Sequence, residues 1–161
     1  MSTLVASQLE TTEFDFFVGS WTAHNRRQRA DGLWEEFEST NTVTREVDGY
    51  VQVDYYDAPE FPGRGHVKAV TFRAFNAETG EWSIVWLSNY SPPDLRPLVG
   101  GFEDGVGTFV QVIETADGNP LHVKFVWDEI SEDHAHWQQL LSSDEGKTWE
   151  LNWEMEFTRR S

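Results

Sequence analysis

Apolar and polar residues alternate with a period of two along most of the chain, in runs of strand length separated by glycine-bearing turns. The turns read "ADG" at 30–32, "VDG" at 47–49, "ETG" at 78–80, "EDG" at 103–105, "ADGN" at 116–119 and "DEGK" at 144–147. Between them the pattern predicts ten strands, near 20–29, 33–44, 49–56, 66–76, 81–88, 96–103, 107–115, 120–130, 134–142 and 148–159. No repeat of propeller period is visible, and ten strands cannot build several four-stranded blades. Closing the meander on itself removes the exposed edges of an open sheet. The expected fold is therefore all-β: one domain over 1–161, a ten-stranded antiparallel up-and-down barrel. Residues 1–12 form an extension, and 13–19 a short helical plug at one end. Thr12-Glu13-Phe14-Asp15 reads as a capping box for that plug, with Gly19 as its stop.

Pairing arithmetic assigns faces. A turn at 131–133 sets Asp128 opposite His136 and Val126 opposite Gln138. One face then holds Val123, Phe125, Trp127, Ala135, Trp137, Gln139 and Leu141. Carried across the next hairpin, the same face gains Trp149, Leu151, Trp153, Met155 and Phe157, with Glu150, Asn152, Glu154 and Glu156 outside. The "NAETG" hairpin groups Thr71, Arg73 and Phe75 with Trp82, Ile84 and Trp86. Its reverse (Val70, Phe72, Ala74, Ser83, Val85, Leu87) is also apolar. The tryptophan face is taken as the interior. The first hairpin, "RQRADGLWEEF", leaves Arg27 free to lie on either side.

Loop length gives the barrel a direction. The turns at 76–80, 103–106 and 131–133 share one end and are short, whereas "DAPEFPGRG" (57–65) and "NYSPPDLRP" (89–97) lie at the other and are long. The second end is the expected mouth, where binding residues gather. The first is the floor, with Trp21 and Arg159. One stretch looks like a signature: "SSDEGKTW" fits the Asp-box pattern through Ser142, Asp144, Gly146, Thr148 and Trp149. A single copy between strands nine and ten reads as a turn staple, Asp144 bonding turn amides above Trp149.

Gly19-Ser20-Trp21 entering the first strand, with Arg159 ending the last, resembles the G-x-W and Arg signature of calycins. In lipocalins such an Arg stacks on the Trp at the closed end. More closely, "EFDFFVGSW", "HNRR", "FRAFNAETGEWSIVW", "GFEDGVGTF" and "SSDEGKTWELNWEMEFTRR" together resemble a bacterial family of lipocalin-like barrels known as a domain of unknown function. That resemblance spans almost the whole chain; it implies a fold and no activity. Nitrobindin, a haem-binding ten-stranded barrel, shares the architecture more distantly. Its first strand continues with spaced glycines, whereas here the chain runs Trp21-Thr22-Ala23-His24-Asn25-Arg26. With His134 and His136 directed outward, neither haem nor another cofactor is expected.

Composition narrows the partners. Eight Trp, eleven Phe and four Tyr need a surface to line. A formal charge of −16, from 28 acidic and 12 basic residues, repels phosphate backbones and anionic lipid, so nucleic acid and membrane are poor partners. Without a cysteine there is no disulfide frame, thiol nucleophile or thiolate metal site. The start "MSTLVASQLETTEFDFF" carries no basic region followed by an apolar run, which predicts no leader and a cytoplasmic location.

No nucleophile elbow, Walker loop, dinucleotide fingerprint or H-E-x-x-H is present. His134 and His136, with Asp128 opposite, could form a weak surface metal site. Solvated histidines are the favoured reading, and no metal is expected. Asp54 alternates with Gln52 and Tyr56 near the mouth and could pair with Arg73 or Arg27 across the lumen. The leading expectation is a barrel binding a small apolar or aromatic molecule through Arg27, Asp54, Tyr56, Arg73, Trp86, Trp137, Gln139, Leu141 and Trp149. Gly19, Trp21, Arg159, Asp144 and Gly146 are expected to be structural. The alternative is a cofactor-independent acid–base enzyme of lyase, isomerase or cyclase type, with Asp54 and Arg73 catalytic. A lesser reading is a homodimer that docks through Trp34 and the second apolar face.

Overall fold

A computed structural model describes residues 11–160. The chain runs through a 3-10 turn (Asp15–Phe17) and then β1 (Gly19–Gln28), β2 (Trp34–Glu46), β3 (Val51–Phe61), β4 (Gly65–Asn76) and β5 (Glu81–Ser88). It continues with β6 (Leu98–Glu103), β7 (Val106–Glu114), β8 (Pro120–Asp128), β9 (His134–Ser142) and β10 (Glu150–Arg159). Each strand pairs antiparallel with the next, and β10 returns to β1, so the sheet closes. The expected ten-stranded antiparallel barrel is the fold. Closure leaves no edge strand among the described residues to template aggregation.

Registers follow the alternation. Asp128 faces His136 and Val126 faces Gln138, while Thr71, Arg73 and Phe75 face Trp86, Ile84 and Trp82. Trp82, Trp127, Trp137 and Trp153 are all buried, so the tryptophan face is the interior. On the reverse face Tyr55 and Phe72 stay exposed. Trp34, 37% exposed, lies beneath the Arg26 guanidinium, 4.1 Å from ring centroid to Cζ.

The floor is packed solid. Phe14 and Phe17 enter the barrel end from below. Phe17 stacks on Trp21 (5.2 Å) and meets Trp127 and Phe157 edge-on (4.7 and 4.8 Å). Trp21 donates its indole N–H to the Phe17 carbonyl, and Arg159 lies over the Trp21 ring at 4.2 Å. The Arg159 guanidinium also donates to the carbonyls of Phe16, Val18 and Glu132, each at 2.7 Å. It therefore ties the plug, the last strand and the 129–133 turn together, in the calycin manner expected of Trp21 and Arg159.

At the level of the fold, the structure corrects four expectations. The capping box does not form: Phe14 occupies the cap position with no side-chain bond. Glu13 instead accepts the Trp82 indole N–H at 3.0 Å, and Asp15 faces Arg45 at 3.3 Å. Side chains of this turn reach partners on β5 and β2 instead of a local backbone amide. Gly19 does stop the turn, entering β1 at φ +125°.

Second, 57–65 is not a mouth loop. β3 runs on to Phe61 through a register shift between Ala58 and Phe61, and a tight turn leads to Gly65. Bulges are where a strand tolerates proline, here Pro59. Third, because β3 is longer, Asp54 lies in the floor half rather than near the mouth.

Fourth, Trp149 and Leu151 do not face inward. A bulge inserts Asn152 between Leu151, which faces Leu140, and Trp153, which faces Gln139, and residues before it change face. Trp149 packs on the outside beneath Lys124, 4.1 Å from Nζ to ring centroid. Asn152, expected outside, accepts a hydrogen bond from the lumen residue Gln139 at 3.0 Å.

Candidate functional site

Above the packed floor lies a cavity of about 350 Å³, lined by residues of the inner face together with Tyr90, Ser91, Pro92, Asp94 and Arg96 of the 89–97 loop. That loop is the long mouth connection the sequence predicted. Of the expected binding residues, Arg27, Asp54, Tyr56, Arg73, Trp86, Trp137, Gln139 and Leu141 all line this cavity. Trp149 does not.

The lumen has two unlike walls. On β5, β8 and β9 it is apolar and aromatic: Ile84 and Trp86, then Val123, Phe125 and Trp127, then Trp137 and Leu141. Trp153 on β10 joins it, meeting Trp137 and Trp86 edge-on at 5.6 and 6.1 Å. Such offset ring geometry is the favourable one for aromatic quadrupoles.

On β1 to β4 the wall is polar and internally bonded. Arg73 donates to Asp54 Oδ2 at 2.7 Å and to Gln52 Oε1 at 2.8 Å. Asn41 Nδ2 donates to Asp54 Oδ1 at 2.8 Å, and Gln52 Nε2 donates to the Phe14 carbonyl at 2.8 Å. The Arg73 guanidinium stands 5.1 Å from the Phe14 ring centroid and 5.4 Å from Phe17 and Trp127. Arg73 and Asp54 are 4% and 2% exposed, so each needs the other to offset its lost hydration. Two polar atoms in this wall, Arg73 Nε and Asn41 Oδ1, have no hydrogen-bond partner among the described residues.

Nearer the mouth, Asn25 Oδ1 accepts from the Tyr56 hydroxyl (3.0 Å) and from the Trp153 indole (3.2 Å), while its amide donates to Ser39 Oγ (2.8 Å). Burial pushes the Tyr56 pKa up, so this hydroxyl stays a neutral donor across the physiological range. Arg27 is inside, at the mouth, between the rings of Phe61 and Trp153 (5.3 and 5.2 Å), with Glu35 at 3.6 Å.

Sequence reasoning missed Asn25, Asn41 and the bonding role of Gln52. A signal for Asn25 existed. Trp21 at the floor must face in, and a period of two then carries Ala23, Asn25 and Arg27 to the same face.

Outside the barrel, His134 and His136 point away from the lumen. His136 is not solvated, contrary to expectation: it is 8% exposed, between Asp128 on Nδ1 (2.8 Å) and Glu154 on Nε2 (2.8 Å). Burial opposes its charge, but the bonds from Glu154 and Asp128 outweigh that and raise its pKa. Across the sheet, His24 stands between Glu36 (2.6 Å) and Glu38 (2.5 Å), which raise its pKa likewise. No helix among the described residues is long and apolar enough to cross a membrane.

Barrel, floor stack and open lumen together define a calycin-like fold. No family model matches the chain, and neither does any curated protein. Solved structures do. Rv2717c from M. tuberculosis is similar over 97% of this chain and 98% of its own, with a TM-score of 0.63 and 10% identity. The S-type phycobiliprotein lyase CPES from Guillardia theta is similar over 98% of this chain and 97% of its own, with a TM-score of 0.62 and 13% identity. At these identities the likeness is one of fold.

Proposed function

We propose that the barrel binds a small, largely apolar or aromatic molecule in its lumen. The observation that carries this reading is the cavity of about 350 Å³ above the floor, reaching the mouth loop and faced by the indoles of Trp86, Trp137 and Trp153. Its volume falls within the range of roughly 300–1,000 Å³ usual for small-molecule sites, which likewise combine apolar walls with few polar groups. The aromatic wall supplies burial, and Tyr56, Gln139 and Arg27 supply orientation. A similar barrel, the S-type phycobiliprotein lyase CPES, lends the reading support by architecture alone.

The acid–base alternative finds less support. Both Asp54 oxygens accept hydrogen bonds, from Asn41 and Arg73, which suits a structural clamp better than a proton acceptor.

Titrating the protein with a panel of aromatic and acyl compounds, followed by intrinsic tryptophan fluorescence, tests the proposal. Saturable quenching is expected, weakened at least several-fold in Trp137→Ala while the variant stays folded. A flat response across the panel would reject it.

A further inference from the structure

The outward side chains of β8, β9 and β10 form a cluster that lumen binding leaves unexplained. His136 is buried, which is unusual for an imidazole on the outer surface of a barrel. Its Nε2 lies 2.8 Å from Glu154 Oε1 and 3.6 Å from Glu156 Oε1. One ligand atom from each of these three residues falls within 4.8 Å of the other two. Glu156 turns its remaining oxygen to His134 Nε2 at 2.6 Å. The arrangement follows from sequence and register: His134 and His136 alternate on β9, Glu154 and Glu156 alternate on β10, and His136 pairs with Glu156.

His136 Nδ1 bonds Asp128 Oδ1 at 2.8 Å, and Asp128 Oδ2 accepts a hydrogen bond from the Gln138 amide at 3.2 Å. A carboxylate anchored by an amide thus holds the Nδ1 proton and aims Nε2 at the two glutamates. Metal-bound histidines are oriented by such a carboxylate on the opposite nitrogen.

We propose that His136 Nε2, Glu154 and Glu156 bind a divalent transition-metal ion, with Asp128 orienting the imidazole and His134 positioning Glu156. One imidazole and two carboxylates suit Zn²⁺ or its neighbours, whereas Ca²⁺ and Mg²⁺ favour oxygen-only sets. The two carboxylates balance the charge of the ion. Arg26 holds the second oxygen of Glu154 at 2.9 Å and leaves Oε1 facing His136. The opposite side, Asp128 with Glu129, is the poorer choice. Asp128 is committed to Gln138, and the Glu129 side chain is 62% exposed.

Isothermal calorimetry of the full chain with ZnCl₂, and MgCl₂ as control, tests this. One Zn²⁺ per chain is expected, with no Mg²⁺ response at the same concentration. His136→Gln and Glu156→Gln should abolish binding, and Asp128→Asn should weaken it by about 10–100-fold, the usual effect of losing an orienting carboxylate. His66→Gln, whose ring faces Asp57 on the far β3–β4 side of the outer face, should leave it unchanged. Melting curves establish that each variant is folded. Long-range ¹H–¹⁵N spectra should show Zn²⁺ shifting Nε2 of His136. A flat titration of the unaltered chain, an affinity unchanged in His136→Gln, or a shift at Nδ1 instead would overturn the proposal.

Discussion

Asp144 accepts hydrogen bonds from the Thr148 amide and hydroxyl at 2.9 and 2.6 Å and from Ser142 Oγ at 2.7 Å, while Ser142 Oγ accepts the Gly146 amide. Gly146, at φ +86°, makes the bend that brings them together. The Thr148 bonds above all hold the Asp144 carboxyl at about 2, below its ordinary 3.8. The folded state therefore binds that proton less readily than the unfolded chain. Its stabilisation is complete above the unfolded value and is lost as pH falls through the folded one. Asp144→Asn should accordingly lower the urea midpoint at pH 7, with the gap to the unaltered protein closing as pH approaches about 2. A gap that persists there would assign the effect to something other than charge. Asp54 and Arg73 obey a different balance. Removing one member strands a buried charge, so Arg73→Met and Asp54→Asn should each cost about 3–5 kcal/mol by chemical denaturation. The double variant should cost clearly less than their sum, because neither charge is then stranded. Strict additivity would mean that the pair does not act as a unit.

Among the elements, the 3-10 turn and β10 bear most on the lumen. A three-residue turn has no helical stability of its own; tertiary packing of Phe14 and Phe17 holds it. Phe17→Ala would open a hole among Trp21, Trp127 and Phe157, at a cost of about 3–5 kcal/mol. Its urea midpoint should fall accordingly, and a loss below about 1 kcal/mol would mean the floor can collapse to fill the gap. β10 shows how one inserted residue redistributes function. The bulge at Asn152 keeps Trp153 in the lumen, puts Trp149 outside beneath Lys124, and supplies the acceptor for Gln139. The strand ends on Arg159, which binds three carbonyls at the floor.

At the scale of the whole molecule, closure sorts the side chains into three environments. The floor half is filled by rings around the Arg73–Asp54 pair, the mouth half keeps a cavity, and the outer face carries most of the charge. Large indoles could have filled the barrel completely. Facing the cavity, β1 to β4 present polar side chains that bond one another, among them Asn41, Asp54 and Arg73, and the indoles of Trp86 and Trp137 stand on the opposite wall. The chain carries a formal charge of −16, yet it brings Arg27 to the lumen mouth, where Phe61 and Trp153 flank it.

Strand number, hairpin order, the inward tryptophan face of β4, β5, β8 and β9, the Asp-box staple and the Trp21–Arg159 stack were all legible in the sequence. The Trp21–Arg159 stack was legible through the resemblance to calycins; each of the others depends on a local period or a turn motif, and alternation of two is enforced residue by residue. Only the tertiary structure decided the depth of Asp54, the side taken by Trp149, the Asn25 and Asn41 bonds, and the burial of His136. Those depend on bulges, which shift the period without leaving a pattern of their own. They depend also on which residues of strands distant in sequence come level once the sheet has closed.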